Sequence, residues 1–281
     1  MTLRRMLATA AVCAAVLCAT PAHAQQATPP APPERDPDQN LNALQPDFTI
    51  SALPTTLRLP RYKFDFRVTH RFGRPLGQGD FDDLLADFFS LDSSAQIGLE
   101  LRFGFMHGTQ GGIYRTNDRT IEFFVEHNVM RESDSRPIGL TAWASSDGTN
   151  NFSDNYTPAL GAIVSRTVGR LGTVYAEPFW VNNTNPLPSE VVDHNSTFML
   201  GLGGRFRIRR TVYLIAEGAP RLGGFAPDRA HMTFGVEKLV GGHMFQLNVS
   251  NGVGTTISQV ARGGTRHDWF LGFNITRKFW R

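Results

Sequence analysis

The chain has 281 residues, a net charge of +3 and a nearly balanced set of 28 basic and 25 acidic residues. Its two cysteines, Cys13 and Cys18, lie near the N-terminus, so the rest of the chain is predicted to have no disulfide or thiolate chemistry. Because loss of Arg4 and Arg5 with the N-terminal segment would lower the net charge by two, the charge does not indicate nucleic acid as a partner.

Residues 1–24 have the pattern of a secretory signal peptide. Two arginines precede an apolar run over residues 6–19, and Ala22-His23-Ala24 forms a small-x-small cleavage site. The apolar run is shorter than the roughly 20 residues that a membrane-spanning helix needs. We therefore expect export, with cleavage after Ala24.

Residues 25–60 are predicted to be a Pro-rich disordered leader and periplasmic lead-in. Residues 25–40 hold five prolines and no large apolar side chain, and residues 41–60 have scattered apolar side chains without a period. A single all-β domain is predicted to occupy residues 61–281.

The first strand of that domain alternates between aromatic and charged side chains. Over residues 61–72, Phe64 and Phe66 alternate with Lys63 and Arg67. A period of two indicates a strand with one apolar face. In a membrane barrel that face would point outward, because a lipid-facing Arg or Lys at the bilayer centre costs about 2–4 kcal/mol. In a soluble sandwich it would point inward.

The same alternation recurs in segments of about ten residues, the length of a tilted membrane-spanning strand. The clearest further segments are residues 95–105, 120–129, 196–208, 243–250 and 268–281, and weaker ones are residues 111–115, 138–144, 158–168, 173–181, 211–218 and 231–239. Short links alternate with longer loops, and both termini fall on the side of the short links. The chain is therefore predicted to be all-β, a transmembrane antiparallel up-and-down β-barrel of about twelve strands in the outer membrane.

The last strand has the most regular apolar face. Its predicted lipid-facing side chains are Trp269, Leu271, Phe273, Ile275 and Phe279. A C-terminal strand with an aromatic edge is typical of the closing strand of an outer-membrane barrel, although Trp280 and Arg281 extend beyond this stripe. An aromatic girdle at the membrane boundaries is predicted from Tyr62, Trp143, Tyr156, Trp180, Trp269 and Trp280.

One segment in the first outer loop breaks the period of two. Residues 80–91 place apolar side chains at helical spacing behind an acidic first turn, which predicts a short amphipathic helix. Either this helix gates the lumen, or it packs its apolar face on the barrel rim. The gating hypothesis concerns Asp80, Phe81, Asp83, Leu84 and Phe88.

A set of charged side chains shares the predicted inward face. Its members are Arg67, Glu100, Arg102, Glu122, Glu126, Glu177, Arg205, Glu217 and Glu237. They are predicted either to line an ion-selective pore or to hold a narrow lumen shut by pairing with one another.

Several longer strings resemble one family. HRFGRP at residues 70–75, GDFDDLLADFF at 79–89, FGVEK at 234–238, GGHMFQLNVSN at 241–251 and WFLGFNITRKF at 269–279 are similar to the bacterial barrel family known as domain of unknown function 5777. The IYRTNDRTIEFF run from Ile113 is similar as well, so the resemblance covers most of the chain from about residue 61. The resemblance implies a membrane β-barrel and assigns no catalytic residues.

These features predict a passive channel, narrow porin or structural barrel without enzymatic activity, cofactor or metal. Its expected partners are outer-membrane lipids and, during insertion, the barrel-assembly machinery; the oligomeric state stays open. Ser250 lies in a string that resembles one of outer-membrane phospholipases, but Asn248 stands where the general base is needed. The alternatives are an outer-membrane lipid hydrolase or acyltransferase, and an exported soluble barrel that binds an apolar ligand.

Overall fold

The structure is a computed structural model that describes residues 36–86, 94–185 and 195–280. Within these residues, thirteen strands form one antiparallel sheet. They are β1 (Phe64–Phe72), β2 (Ala95–Met106), β3 (Thr109–Thr116), β4 (Ile121–Met130), β5 (Gly139–Gly148), β6 (Asp154–Val168), β7 (Gly172–Asn182), β8 (Ser196–Arg209), β9 (Val212–Ala219), β10 (Arg221–Gly224), β11 (His231–Val240), β12 (His243–Ser250) and β13 (Phe270–Lys278).

Helical structure in the described residues is limited to short pieces. A 3₁₀ turn covers Pro37–Gln39, and a turn in which Asn150 and Asn151 have left-handed backbone conformations covers Thr149–Phe152. The two α-helices are α1 (Phe81–Ala86) and α2 (Ile257–Arg262). None of the described helices is long and apolar enough to cross a membrane.

The sheet closes on itself and becomes a barrel. β1 pairs with β13, with Val68 opposite Ile275, and β8 pairs with β9, with Leu202 opposite Gly218. Twelve of the described strands form the closed sheet, and the short β10 is an additional strand. It follows β9 in sequence and pairs with the first residues of β8, Thr197 to Met199. The predicted antiparallel barrel of about twelve strands is confirmed.

The two faces of the barrel wall have opposite chemistry. On β2, Leu99 and Leu101 are 49% and 47% exposed, whereas the alternating Glu100 and Arg102 are 3% and 1% exposed. A soluble barrel would bury the apolar face and expose the charged one. The observed distribution is that of a barrel whose outer wall contacts lipid.

Phe279 and Trp280, the first two residues after the closing strand β13, both pack against other parts of the chain. Leu271, Phe273 and Ile275 alternate with the buried residues Gly272, Asn274 and Thr276 along β13. Phe279 follows the strand and stacks on Phe64 with ring centroids 4.5 Å apart. Trp280 turns inward and packs edge-on against Phe48, so it is part of the interior and not of an aromatic girdle.

Two segments outside the wall strands fill the barrel interior. Residues 47–59, here called the plug, fold into a tight hairpin in which the Ile50 N–H donates to the Leu53 carbonyl at 2.8 Å. Helix α2 contacts β6, β7, β8 and β11, which only an element inside the barrel can reach together. Its buried residues join Ile50 and Leu53 in one apolar cluster with the inward side chains of β4 to β9.

This interior corrects two further sequence-based predictions. The part of residues 25–60 that the structure describes is ordered and packed, since Ile50 and Leu53 are fully buried, and it is therefore not a disordered lead-in. Trp143 is buried and stacks on Phe124 at 4.9 Å, so it is not a girdle residue. Sequence periodicity predicts neither the packed plug nor the inward position of Trp143. The plug sequence has no regular period, and the inward position of Trp143 depends on apolar residues elsewhere in the lumen.

Two predictions concern residues that the structure describes only in part. The predicted helix over residues 80–91 is observed as α1 up to Ala86, and residues 87–93, including Phe88, lie outside the described residues. The signal peptide and the first part of the leader also lie outside them and stay predictions.

A lipid-facing outer wall predicts a strong cost for charge at mid-strand. Val125 lies in the middle of β4 and is 43% exposed. The Val125→Arg variant is expected to lose about 2–4 kcal/mol of unfolding free energy, measured by denaturant titration in lipid vesicles. Leu171→Arg, in an exposed turn at the barrel end, is the control and is expected to lose only about 0–1 kcal/mol. Equal small losses in both variants would contradict the lipid-facing wall.

Candidate functional site

The candidate functional site is the lumen, where the plug meets the inner wall. We call the end of the barrel with the links 107–108, 131–138, 169–171, 210–211 and 241–242 the short-turn rim, and the opposite end the long-loop rim. β1 begins and β13 ends at the short-turn rim, so the plug, which leads into β1, joins the wall there.

The tip of the plug is held by one carboxylate. Glu217 on β9 accepts hydrogen bonds from the backbone N–H groups of Ser51 at 2.9 Å, Ala52 at 2.9 Å and Leu53 at 3.1 Å. Such charge-assisted hydrogen bonds are roughly twice as strong as those between neutral groups. Glu217 is therefore the main polar anchor of the tip.

Three arginines of the wall bind the same hairpin from other directions. Arg67 donates to the Thr49 hydroxyl at 2.8 Å and to the Ser51 carbonyl at 3.0 Å. Arg71 donates to the Ser51 hydroxyl at 3.0 Å, and Arg205 donates to the Thr49 carbonyl at 2.6 Å. The turn of the plug is thus held between β1, β8 and β9.

The closing strand holds the start of the plug. Lys278 forms an ion pair with Asp47 at 2.7 Å, and Thr276 donates to the other oxygen of the same carboxylate at 3.0 Å. Asn274, two residues further along the same inward face, donates to the Ser51 carbonyl at 3.1 Å. Three successive inward positions of β13 therefore contact the plug.

Six charged residues of the described wall are paired with one another. Arg67 and Arg102 share Glu100 at 2.6 and 3.0 Å. The remaining pairs are Arg102 with Glu126, and Arg205 with Glu237 at 2.6 Å. Burial of a charge is costly unless it is paired and hydrogen-bonded, so these pairs make a charged inner wall tolerable.

All nine charged residues singled out from the sequence are buried inside the barrel. Glu177 is fully buried, and neither of its carboxylate oxygens has a hydrogen-bond partner among the described residues. Glu122 lies opposite Asp147 across β4 and β5. Whether any of the nine lines an open pore stays a prediction.

The predicted set of nine omits five charged residues of the same interior. Asp65, Arg71 and Lys278 share the inward parity of their strands, so the alternation places them on this face. Asp147 lies beyond the predicted segment over residues 138–144, because β5 continues to Gly148. Asp47 precedes the barrel strands, and no pattern in the sequence marks it.

The predicted gating helix is observed at the long-loop rim. The Asp83 N–H donates to the Asp80 carboxylate at 3.0 Å, and the Asp80 N–H donates to the Asp83 carboxylate at 3.2 Å, which caps the first turn of α1. Leu85 is 46% exposed. A gating role for α1 stays a prediction, and the lumen is filled by the plug and α2.

A small acidic group lies at the short-turn rim. Ligand atoms of Asp36, Asp38 and His107 come within 4.8 Å of one another. Asp38 already binds the guanidinium groups of Arg58, at 3.1 Å, and Arg131. Burial lowers the pKa of Arg58, against the opposing effect of Asp36. Because two arginines occupy the Asp38 carboxylate, this donor set does not fit a metal ion.

Ser250, the residue of the hydrolase alternative, is buried in the lumen. Its hydroxyl donates to the Met232 carbonyl at 3.1 Å and accepts from Thr233 at 3.1 Å. Asn248 donates to the Gln246 side chain at 2.8 Å. In the described part of the chain, Ser250 has no hydrogen bond to a histidine or carboxylate that could activate it, which a serine nucleophile requires.

A family model and several solved structures are similar to this chain. A family model described as a membrane bound beta barrel domain matches residues 47–279. An outer membrane channel from Pseudomonas putida F1 is similar over 79% of this chain and 97% of its own, with a TM-score of 0.50 and 11% identity. The NanC porin is similar over 77% and 98%, with a TM-score of 0.48 and 8% identity. Outer membrane phospholipase A from Escherichia coli is similar over 79% and 95%, with a TM-score of 0.44 and 12% identity. None of the curated proteins matches the sequence.

Because Glu217 accepts three backbone hydrogen bonds, replacing its carboxylate by an amide is predicted to loosen the plug. In Glu217→Gln the side chain keeps one acceptor oxygen and loses its charge, so it cannot accept from three backbone N–H groups. Hydrogen exchange of residues 48–55, measured by mass spectrometry, is expected to be about tenfold faster or more, since hydrogen bonds to charged groups contribute about 1.5–3 kcal/mol.

The matched control is Glu122→Gln, which changes another buried wall carboxylate that faces Asp147 and not the plug anchors. Exchange of residues 48–55 should stay at the wild-type rate in this control. An unchanged rate in Glu217→Gln would show that other contacts hold the hairpin.

Proposed function

The chain belongs to the family of membrane-bound β-barrel domains known as domain of unknown function 5777, and we propose that it is a gated passive channel of the outer membrane. In this proposal the plugged barrel is the closed state. Withdrawal of the plug through the short-turn rim opens a path for ions or small polar solutes through the part of the lumen that α2 does not fill. The family model begins at residue 47, the first residue of the plug, so plug and barrel are parts of one domain.

The observation that carries the proposal is that the plug is not part of the barrel sheet. Within the described residues, its backbone-to-backbone hydrogen bonds are two internal ones, from Ile50 to Leu53 and from Thr55 to Phe48. Its bonds to the wall all involve side chains, so each can be exchanged for water. The plug can therefore leave the lumen without breaking any backbone hydrogen bond between the barrel strands.

The wall also keeps its own charge compensation when the plug leaves. Arg67 retains Glu100, and Arg205 retains Glu237, because both ion pairs join wall strands. Glu217, Lys278 and Arg71, which bind the plug and have no wall carboxylate or wall cation paired with them among the described residues, would then face a water-filled lumen, where a free charge costs little. Both states of the barrel are thus electrostatically acceptable.

The inner wall has an excess of negative charge that favours cations. Its buried acidic residues are Asp65, Glu100, Glu122, Glu126, Asp147, Glu177, Glu217 and Glu237, and its buried basic residues are Arg67, Arg71, Arg102, Arg205 and Lys278. Charged side chains that line a narrow pore set its ion selectivity. The open channel is therefore expected to select weakly for cations.

Location in the outer membrane follows from the same features. The predicted signal peptide, cleaved after Ala24, would direct export, and a closed barrel with an apolar outer wall then inserts into the bilayer. The hydrolase alternative has no comparable support, because Ser250 is bound inside the lumen without a base.

A disulfide across the plug and the wall tests the proposal with the full chain. The hydroxyl oxygens of Thr56 and Ser165 lie 2.6 Å apart, so cysteines at both positions are placed to form a disulfide. The variant Thr56→Cys/Ser165→Cys is expected to conduct in stepwise openings in planar bilayers when reduced. When oxidised, it is expected to stay closed, and reductant should restore the openings.

The control is Thr184→Cys/Thr197→Cys, in which hydroxyl oxygens 2.8 Å apart join a loop to β8 without involving the plug. This variant should open equally well in both redox states. Equal openings of the plug variant in both states would contradict gating by the plug. Silence of all proteins would contradict a channel and favour a structural barrel.

A further inference from the structure

One side of the short-turn rim has an uninterrupted series of basic side chains. We call Arg166, Arg170, Arg209, Arg210, Lys238 and Arg277 the basic arc. Five of the six are exposed, and Arg277 is half-buried on β13. They lie on β6, β8, β11 and β13 or in the turns that join these strands to their neighbours.

Hydrogen bonds between successive turns and strands make this arc continuous. The carbonyl of Leu171, in the turn after β6, accepts from the Arg207 N–H on β8 at 2.7 Å. The carbonyl of Thr211, in the turn after β8, accepts from Leu239 on β11 at 2.8 Å, and that of Gly242, in the turn after β11, accepts from Lys278 on β13 at 2.9 Å. The arc therefore follows half of the rim as one surface.

The positive charge of the arc is not compensated on the outside. The acidic residues of β7, β9 and β11 are Glu177, Glu217 and Glu237, and all three are buried in the lumen. In the part of the chain that the structure describes, none of the six basic side chains forms an ion pair. The acidic residues of this rim accompany β2 to β5 and are Asp36, Asp38, Glu132 and Asp134. Only Glu132 among these four is bonded at the edge of the arc, where its carboxylate accepts from the Thr167 N–H on β6 at 2.9 Å.

The arc adjoins the apolar belt of the outer wall. Arg209 and Lys238 flank Val212, which pairs with both, so their backbones lie about 10 Å apart, two strand spacings. Ile208 is 54% exposed and Val240 49% exposed beside them. A ligand that is anionic at one end and apolar at the other would contact both the basic side chains and the apolar belt. A water-soluble acidic protein would contact only the basic side chains.

We propose that the basic arc binds the headgroups of anionic phospholipids in the leaflet at the short-turn rim. The apolar belt contacts the acyl chains, and the arginines and the lysine bind the phosphates through charge-assisted hydrogen bonds. Each basic residue near such a surface contributes about fivefold to affinity, on the order of 1 kcal/mol. The proposal does not depend on whether the barrel conducts.

The experiment measures lipid binding to the purified full chain. In detergent, phosphatidylglycerol and phosphatidylcholine are titrated separately and bound lipid is counted by native mass spectrometry. The wild type should prefer phosphatidylglycerol, and Arg209→Gln/Lys238→Gln should lose about 25-fold in that affinity, because two charges are removed. The charge-conserving Arg209→Lys/Lys238→Arg should keep most of it.

The matched control removes two exposed arginines of the long-loop rim, in Arg115→Gln/Arg119→Gln. Its affinity for phosphatidylglycerol should stay within about twofold of the wild type, because these positions lie outside the arc. Equal affinity of the wild type for both lipids, or an equal loss in the control, would overturn the proposal. Displacement of the lipid by millimolar inorganic phosphate would assign the arc to free anions and would also overturn it.

Discussion

A wall with one lipid-facing side forces its charges into the lumen, and the rest of the structure depends on how they are neutralised there. Arg67 and Arg102 both bind Glu100, and Arg205 binds Glu237. These ion pairs do not use all the N–H donors of the arginines. A buried polar group without a partner costs about 1–3 kcal/mol. The plug supplies backbone carbonyls for the arginines and N–H groups for Glu217, so it satisfies the wall without adding much charge of its own.

The outer face of the barrel could be predicted from the sequence, because lipid imposes a strict rule on it. A strand such as β2 must alternate leucine or phenylalanine with polar residues, and this alternation is visible in the one-letter code. The inward face follows by parity, which is why nine lumen charges could be named without coordinates. The same rule fails at strand ends, where β5 and its Asp147 continue beyond the predicted segment.

The contents of the lumen could not be predicted in the same way, since no single rule governs a surface that is surrounded by protein. Trp143 and Phe179 point inward because α2 and the plug offer them an apolar environment. Gly201 leaves room for Leu53, whose side chain would lie 3.1 Å from a Cβ at that position. These residues match one another through tertiary contacts between distant parts of the chain, and none of them forms a periodic pattern.

Closure of the barrel and docking of the plug depend on the same two strands. The inward positions of β1 contribute Arg67 and Arg71, and those of β13 contribute Asn274 and Lys278. These strands lie at opposite ends of the domain and become neighbours only when the sheet closes. The complete binding surface for the plug therefore does not exist in an open sheet. Since the plug directly precedes β1, it is present at the seam from the start, and its bonds to both strands stabilise the closed barrel over any open intermediate.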